Sequence, residues 1–442
     1  MHATVEAQPP YPSPGRAWWA VIVFYLAYTL AFVDRQIMAF LVGPIRADLH
    51  LTDFQFSLIQ GLAFVLFYSG FGIPIARLAD RYNRRRLVVF GIAFWSVMTT
   101  LCGLASSYWQ LFAARLGVGM GEATLSPAAV STISDLFPKD KRALPISLYA
   151  AGVNSGAALA NLFGGLAVGF AMSGRAATLP LLGTLKSWQL AFVLVGLPGL
   201  LVALLALSFR EPARHDRAIA HHSFGDLFAY LFRHRLAYGC LIVGAAFAAM
   251  ANFGAFSWVP ALYARRFGWG PARIGPWMGL ITLVCGVGGL LLGGYIAGRM
   301  VRNKDPAPFT RIMVFSMAAA IVPALSLLWV RDPYWMLGCL ALLVLCLSTP
   351  PGLAQAAIQA ITPNGLRAQM IAVYLLAVAL IGSGLGPSSV AAMTDFYFHN
   401  DLAVGSSIAI VTTAAALLSV LILSLGKAAW ARAASEKLNQ VP

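Results

Sequence analysis

The chain has 442 residues, of which 59% are hydrophobic and 11% charged, and it carries a formal net charge of +15 at pH 7. A soluble domain carries about 25% charged residues, so this composition excludes an ordinary soluble protein and indicates a protein that crosses a membrane several times. The basic residues stand in short clusters between apolar segments, which is typical of membrane loops, and we therefore expect no nucleic-acid partner.

Twelve segments are long and apolar enough to cross a bilayer, a task that takes about 20 mostly apolar residues. Segments of this length and composition cannot be strands of a soluble sheet, and a closed membrane barrel would alternate polar and apolar residues. The predicted fold class is therefore an all-α membrane protein with twelve transmembrane helices. They fall at residues 18–42, 54–76, 87–106, 109–133, 143–171, 188–209, 236–262, 274–298, 310–330, 334–361, 368–393 and 404–426.

The basic residues predict the orientation. With both termini in the cytoplasm, 22 of the 31 Lys and Arg residues fall on the cytoplasmic side, 7 on the other side and 2 inside helices. This bias matches the positive-inside rule and predicts an integral protein of the plasma (inner) membrane, in contact with its lipid bilayer. The predicted domains are an N-terminal tail, a six-helix bundle, a linker that ends in an amphipathic helix, a second six-helix bundle and a C-terminal tail, at 1–17, 18–209, 210–235, 236–426 and 427–442.

Four ionisable residues interrupt these apolar segments, all in the first half of the chain. Asp34 and Arg35 lie in the first segment, and Arg115 and Glu122 lie in the fourth. A charge at bilayer depth costs about 2.5–3.5 kcal/mol even on insertion scales, so such residues usually mark a transport path or a proton relay. This pattern indicates a transporter.

The helical geometry predicts how these charges pair. Arg115 and Glu122 lie on nearly one face, about 10.5 Å apart along the axis, whereas Asp34 and Arg35 differ by about 100° in direction. We expect Asp34 to pair with Arg115 and Arg35 to approach Glu122, although a static cluster that only fixes helix packing is the alternative. In the first interpretation Asp34 and Glu122 exchange protons during alternating access, and Arg35 and Arg115 bind an anionic substrate.

The two halves of the chain are related in sequence. The fifth helix starts with PKDKRALPISLY, residues 138–149, and the eleventh starts with PNGLRAQMIAVY, residues 363–374. Pro, Arg, Ala, Ile and Tyr recur at a constant offset of 225, which indicates a duplicated unit of six helices, as in parallel transporter repeats. The second half has Met250 and Ala251 where the first has Asp34 and Arg35.

The loop after the second segment carries the sequence ARLADRYNRR, residues 76–85. With the twelve segments in two halves, this loop resembles the signature of the major facilitator superfamily, with Ala76 and Asn83 in place of its two glycines. The resemblance implies a major facilitator fold of two pseudo-symmetric bundles and a conformational latch at their cytoplasmic ends. We assign to this latch Asp80, Arg81, Arg84, Arg85 and Arg142.

Further residues resemble the spinster-like branch of that superfamily. They are the Asp34-Arg35 pair, the GMGEA segment at residues 119–123, and Asp135 followed by Phe-Pro and Arg142. The anion:cation symporter branch shares the Asp-Arg pair and an Arg with Glu-Ala in helix four, so it is the second choice.

In the family that this chain resembles, helices one, four, seven and ten line the substrate cavity. Helix seven carries Asn252 and Phe256, and helix ten carries Gln355 and Gln359, each pair sharing a face at a spacing of four. Buried amides also serve as contacts between helices, so a structural role is the alternative for each of them.

We therefore predict a secondary transporter that moves an organic or amphipathic, lipid-like anion by alternating access, coupled to protons by symport. A passive channel or a non-transporting receptor on the same fold is the alternative. No nucleophile–base pair or nucleotide loop is evident and the loops are short, so we expect no enzyme activity. We also expect no cofactor and no metal site, and we predict a monomer.

Overall fold

A computed structural model describes residues 10–138, 141–172, 177–179, 183–214 and 224–438. Most of these residues are helical. They form two compact units, each discontinuous along the chain. Unit 1 is built from Met1–Arg35, Leu66–Ala157 and Gly174–Ile219, and unit 2 from Gln36–Val65, Ala158–Ser173 and Ala220–Pro442.

The first half of the chain forms nine α-helices and one short hairpin in the described ranges. The helices are α1 (Pro14–Leu49), α2 (Asp53–Ser57), α3 (Phe64–Arg81), α4 (Arg84–Cys102), α5 (Tyr108–Glu122), α6 (Leu125–Leu136), α7 (Ala143–Leu159), α8 (Gly165–Met172) and α9 (Ser187–Ala206). The hairpin pairs β1 (Ala177–Leu179) with β2 (Gly183–Leu185) in antiparallel register.

The second half forms ten α-helices among the described residues. They are α10 (Phe224–Arg233), α11 (Arg235–Phe267), α12 (Pro271–Ile281), α13 (Val287–Arg302), α14 (Pro308–Ser326), α15 (Pro333–Leu347), α16 (Pro350–Ile361), α17 (Arg367–Ala377), α18 (Gly386–Ala392) and α19 (Val404–Leu438). Short 3₁₀ turns lie at Asn364–Leu366 and Asp401–Ala403. Helix α10 confirms that the predicted linker ends in a helix.

Segments of π-helix connect several of these helices, at Leu58–Ala63, Ala160–Gly164, Thr282–Gly286, Val378–Leu385 and Met393–Phe398. Two of them lie at very close backbone contacts in unit 2. A Cβ atom on Gly61 would lie 2.5 Å from the Ser383 carbonyl oxygen, and one on Gly275 would lie 2.5 Å from that of Asn161. Only glycine fits at these two contacts, because any side chain would force the helices apart.

Ten helical stretches of the described residues are long and apolar enough to span a membrane. The predicted fourth and fifth segments are not among them. The structure divides the fourth into α5 and α6, and the fifth into α7, a π-turn and α8. Proline explains the division of the fourth. Pro127 lacks the N–H that would bond the Ala123 carbonyl, and Pro351 divides α15 from α16 in the same way at Leu347.

The repeated sequence has a repeated local structure. Arg142 donates from Nε to the Phe137 carbonyl at 2.9 Å, and Arg367 donates from Nε to the Thr362 carbonyl at 3.2 Å. Each arginine thus ties the start of its helix to the residue five positions earlier. Equivalent contacts at matched positions are what a duplicated unit predicts, so they support the internal repeat.

Candidate functional site

The four charged residues that interrupt the apolar segments lie together in unit 1, where we call them the unit 1 charge cluster. Arg115 Nη1 donates to Asp34 Oδ2 at 3.1 Å, and Arg35 Nε donates to Glu122 Oε2 at 2.7 Å. The side chains of Asp34, Arg115 and Glu122 are at most 3% exposed, and that of Arg35 is 22% exposed. Both expected pairs are therefore present. The functional roles of the four residues stay predictions.

Each carboxylate of this cluster uses only one of its two oxygens. Arg35 directs both Nε and Nη2 to the same atom, Glu122 Oε2, and Arg115 donates to Oδ2 of Asp34. The other oxygens, Glu122 Oε1 and Asp34 Oδ1, are buried and have no hydrogen-bond partner among the described residues. A buried acceptor without a partner costs free energy, and it gains from accepting a hydrogen bond or a proton.

Aromatic rings surround the Arg35 guanidinium. Its central carbon lies 4.8 Å from the ring centroid of Phe32 and 4.8 Å from that of Tyr68. Rings at this distance attract a cation through their negative faces, more strongly where water is excluded. Sequence reasoning missed both rings. The spacing of three residues between Phe32 and Arg35 on α1 was a usable signal, whereas no local pattern points to Tyr68 on α3.

A group of hydroxyls lies on α1, α6 and α7 of unit 1. Tyr28 and Tyr149 stack with their ring centroids 4.7 Å apart, and the Tyr149 hydroxyl is 2.9 Å from the Ser126 Oγ. The Tyr25 hydroxyl donates to Ser155 Oγ at 2.8 Å. These side chains add neutral hydrogen-bonding groups and flat apolar surface to unit 1. They were not predicted, because single tyrosines and serines in apolar helices are common.

The predicted latch residues Arg84 and Arg85 are bound within unit 1. Arg84 is 1% exposed, and it donates from Nη1 to Asp135 Oδ2 at 2.5 Å and from Nε to Glu211 Oε1 at 2.8 Å. The Arg85 backbone N–H donates to Glu211 Oε2 at 2.8 Å. Asp135 and Glu211 were therefore missed as partners, since neither is close to the arginines in sequence.

The other members of the predicted latch are Arg81, Arg142 and Asp80. Arg81 is exposed at the end of α3, and Arg142 makes the carbonyl contact described above. The side chain of Asp80 lies outside the part of the chain that the structure describes. Arg214, which was not predicted, donates from Nη2 to the carbonyls of Ala79 and Tyr82 at 2.8 Å and so satisfies the end of α3.

The four predicted residues of the second half lie in unit 2. Asn252 and Phe256 on α11 and Gln355 on α16 are half-buried, and Gln359 on α16 is exposed. Phe256 lines a small apolar pocket with Met278 and Val344. Their assignment to substrate binding stays a prediction.

A second group of charges, which we call the unit 2 charge cluster, was not predicted. It consists of Arg46, Asp53, Arg265 and Asp401. Asp53 is fully buried; its two oxygens accept from Arg265 Nη1 and Nη2 at 2.6 Å each, and Arg46 Nη1 lies 2.9 Å from Oδ1. Arg46 also donates to Asp401 Oδ2 at 2.7 Å.

Asp395 lies next to the unit 2 charge cluster and accepts from the Phe54 backbone N–H at 2.7 Å. Ligand oxygens of Asp53, Asp395 and Asp401 come within 4.8 Å of one another, a spacing that could suit a metal ion. Arg46 and Arg265 already supply two positive charges there, which balance the charges of Asp53 and Asp401.

Comparisons with known proteins agree with the geometry. The family model of the Major Facilitator Superfamily matches residues 24–387. An MFS-type efflux pump of Mycolicibacterium smegmatis (strain ATCC 700084 / mc(2)155) is 31% identical over 390 residues, which are 86% of this chain and 85% of the pump. The Homo sapiens protein spinster homolog 1 is 34% identical over 220 residues, which are 48% of this chain but only 37% of that protein.

A solved structure extends the likeness over the whole chain. The crystal structure of a bacterial homolog to the human lysosomal transporter Spinster, in an inward-facing and unoccupied conformation, has a TM-score of 0.81 and 26% identity. The match covers 97% of this chain and 99% of that one. The predicted fold class, twelve transmembrane helices in two six-helix bundles of the major facilitator type, is thereby confirmed. This chain belongs to the Major Facilitator Superfamily, in its spinster-like branch, and is an integral membrane protein of a family whose members transport small molecules.

Proposed function

We propose that this protein is a proton-coupled transporter of organic or amphipathic anions that works by alternating access. The observation that carries the proposal is the unit 1 charge cluster. Two buried carboxylates and two arginines form two ion pairs, and each carboxylate keeps one buried oxygen without a hydrogen-bond partner among the described residues. Buried ionisable groups are costly in a membrane helix, and a purely apolar contact would join the helices at lower cost.

The unused oxygens are the sites that we assign to the proton. A proton on Glu122 Oε1 would remove the negative charge opposite Arg35 without displacing either side chain, and a proton on Asp34 Oδ1 would do the same for Arg115. Protonation thus weakens an ion pair in place, which is what coupling requires, because the arginine is then left with an uncompensated charge.

An anionic substrate would supply the missing charge. Guanidinium groups bind carboxylate and phosphate groups in paired hydrogen bonds, so Arg35 and Arg115 suit either headgroup. Phe32, Tyr68 and the Tyr28–Tyr149 stack offer apolar surface beside Arg35, which favours a substrate with an apolar part. We assign contacts with the uncharged part of the substrate also to the four predicted residues of unit 2, Asn252, Phe256, Gln355 and Gln359.

The orientation and the latch belong to the same proposal. We place both termini in the cytoplasm, the protein in the plasma membrane, and the domain boundaries as the sequence predicts. Asp80, Arg81, Arg84, Arg85 and Arg142 form the proposed cytoplasmic latch. Alkaline phosphatase fusions after residues 51, 185 and 268 test the orientation, because we expect activity at all three sites and none in fusions after residues 83 and 304.

The proton-coupling role is tested with Glu122→Gln, which keeps the size of the side chain and removes the exchangeable proton. Proteoliposomes receive lysophosphatidylglycerol or gluconate as the probe, with and without an inward proton gradient. For a transported probe, we expect the gradient to accelerate wild-type uptake about tenfold, which requires only about 1.4 kcal/mol of coupling. Uptake by the variant should not respond to the gradient.

Asp332→Asn is the matched control, because Asp332 is an exposed residue that caps α15. It should keep the full response to the gradient. A Glu122→Gln variant that still accelerates tenfold removes Glu122 from the coupling role, and wild-type uptake of the transported probe that ignores the gradient contradicts proton coupling as a whole.

A channel or a receptor on the same fold is the alternative function. Counterflow separates the three cases, since only a carrier exchanges external labelled probe faster when unlabelled probe is present inside the vesicle. Accelerated exchange supports the transporter. If the probe crosses the membrane but exchange is not accelerated, the protein acts as a channel. If the probe does not cross at all, the protein acts as a receptor.

A further inference from the structure

A groove in unit 2 has no part in the proposed transport cycle. Its volume is about 390 Å³, within the range of sites that hold small molecules. It lies between α13 (Val287–Arg302), the start of α14 and α16 (Pro350–Ile361), and every residue that lines it is apolar. Its lining includes Leu290, Gly294, Gly298, Val301, Phe309 and Gly352.

Two glycines form the floor of this groove. Gly294 and Gly298 are one helical turn apart on α13, and a Cβ atom on either would meet nothing within 4 Å. The missing side chains therefore leave a channel along the helix. On the wall, a Cβ atom on Gly352 would lie 2.8 Å from Leu290 Cδ1, so this side is closely packed.

Exposed apolar side chains of α13 flank the groove. The membrane stretch Pro271–Arg302 includes α13. Only 22% of an apolar 18-residue segment of this stretch is buried within the described part of the chain, which is the smallest share among the ten stretches. Large apolar side chains beside the glycines are exposed, among them Leu291 and Tyr295. Exposed apolar residues on a spanning helix are suited to contact with acyl chains.

Positive charge stands at one end of the groove. Arg302 is four residues after Gly298, so it lies on the same face of α13, about 6 Å further along the axis. It is exposed and has no ion pair among the described residues, whereas the nearby Arg311 is paired with Asp305. Arg299 rests on the Tyr295 ring at 4.5 Å. The groove therefore joins an apolar channel to a basic end.

We propose that this groove binds one acyl chain of an anionic phospholipid, whose phosphate contacts Arg302. The apolar lining, the continuity with the lipid-facing surface and the charge at one end together match that amphipathic ligand, and on the predicted orientation the lipid comes from the cytoplasmic leaflet. None of the residues assigned to transport lines the groove, and Gln355 is the direct neighbour of its lining residue Ala356 on α16. Lipid binding is measured without transport, so the proposal does not depend on the transport activity.

Native mass spectrometry of the full chain in mild detergent tests this site, with phosphatidylglycerol and phosphatidylcholine as the probes. The wild type should retain phosphatidylglycerol about fivefold better than phosphatidylcholine, which is the effect expected for one basic residue near a lipid surface. Gly298→Leu fills the channel and should lower the retention of both lipids. Arg302→Gln should lower only the preference for phosphatidylglycerol.

Gly338→Leu is the matched control, since Gly338 on α15 is also exposed and has nothing within 4 Å of a Cβ position. It should retain lipid as the wild type does. Gly294→Leu repeats the test if Gly298→Leu melts at a lower temperature. Equal retention in the wild type and in both filled variants overturns the proposal. The proposal is also overturned if the wild type is a dimer and either filled variant is a monomer, because a second copy of the chain would then occupy the groove.

Discussion

The two charge clusters differ in how completely their carboxylates are bonded. In the unit 1 charge cluster, Glu122 and Asp34 each present one oxygen to an arginine and keep the other without a hydrogen-bond partner among the described residues. In the unit 2 charge cluster, the fully buried Asp53 has both oxygens bonded to Arg265, and one of them also contacts Arg46.

This difference separates two uses of buried charge. A carboxylate with both oxygens bonded to arginines loses ion-pair energy when it takes up a proton, and breaking the pair leaves buried charges without partners, so it is suited to holding segments of chain together. Asp53 and Arg265 are 212 positions apart in sequence and lie in the two halves of the chain. A carboxylate with an unused oxygen can gain a proton without any rearrangement, so it is suited to exchange.

The largest expected effect comes from Arg265→Gln. This change leaves Asp53 buried with only Arg46 beside it, and breaking a buried ion pair costs about 3–5 kcal/mol of unfolding free energy. The variant should melt well below the wild type when thermal unfolding is followed in detergent. Arg331→Gln is the control, because Arg331 is exposed and its loss should barely move the transition.

The double variant Arg265→Gln with Asp53→Asn sharpens the comparison. Removing both charges of the bidentate pair should restore part of the lost stability, because no uncompensated carboxylate then remains at Asp53. A double variant that is no more stable than Arg265→Gln alone would contradict the interpretation of Asp53 as a bonded structural anchor.

A medium effect is expected from Arg35→Lys in the unit 1 charge cluster. The ammonium keeps the positive charge near Glu122 but loses the planar donors that converge on Oε2 and the flat contact with two rings. We expect uptake of the transported probe into proteoliposomes to fall about tenfold and the melting transition to move much less than in Arg265→Gln. A loss of stability equal to that of Arg265→Gln would erase the distinction between the two clusters.

The unit 1 charge cluster could be predicted because its members are few and their spacing on helices is informative. Asp34 and Arg35 point in different directions, and Arg115 and Glu122 share a face, so two separate pairs follow once α1 and α5 are adjacent. The sequence repeat paired Arg142 with Arg367, and the structure gives these two positions equivalent contacts that were not themselves predicted.

The unit 2 charge cluster could not be predicted in this way. Asp53 stands in a polar stretch between two apolar segments, where an acidic residue at the start of a helix is ordinary. Its burial depends on Arg265 coming from the other half of the chain, and no local pattern encodes that contact. The π-turns were missed for a similar reason. They lie at close contacts between residues far apart in sequence, such as that between Gly61 and Ser383.

The smallest effect is expected at Tyr68, and it tests whether the rings matter for the exchangeable cluster. Tyr68→Leu removes one ring face from Arg35 and leaves Phe32 in place, a loss of about 1 kcal/mol or about fivefold in the affinity for the transported probe. Tyr68→Phe keeps the ring and should stay within about twofold of the wild type. The measurement is the apparent affinity in the proteoliposome assay at fixed pH. If Tyr68→Phe lost as much affinity as Tyr68→Leu, the hydroxyl rather than the ring face would be the group that acts on the cluster.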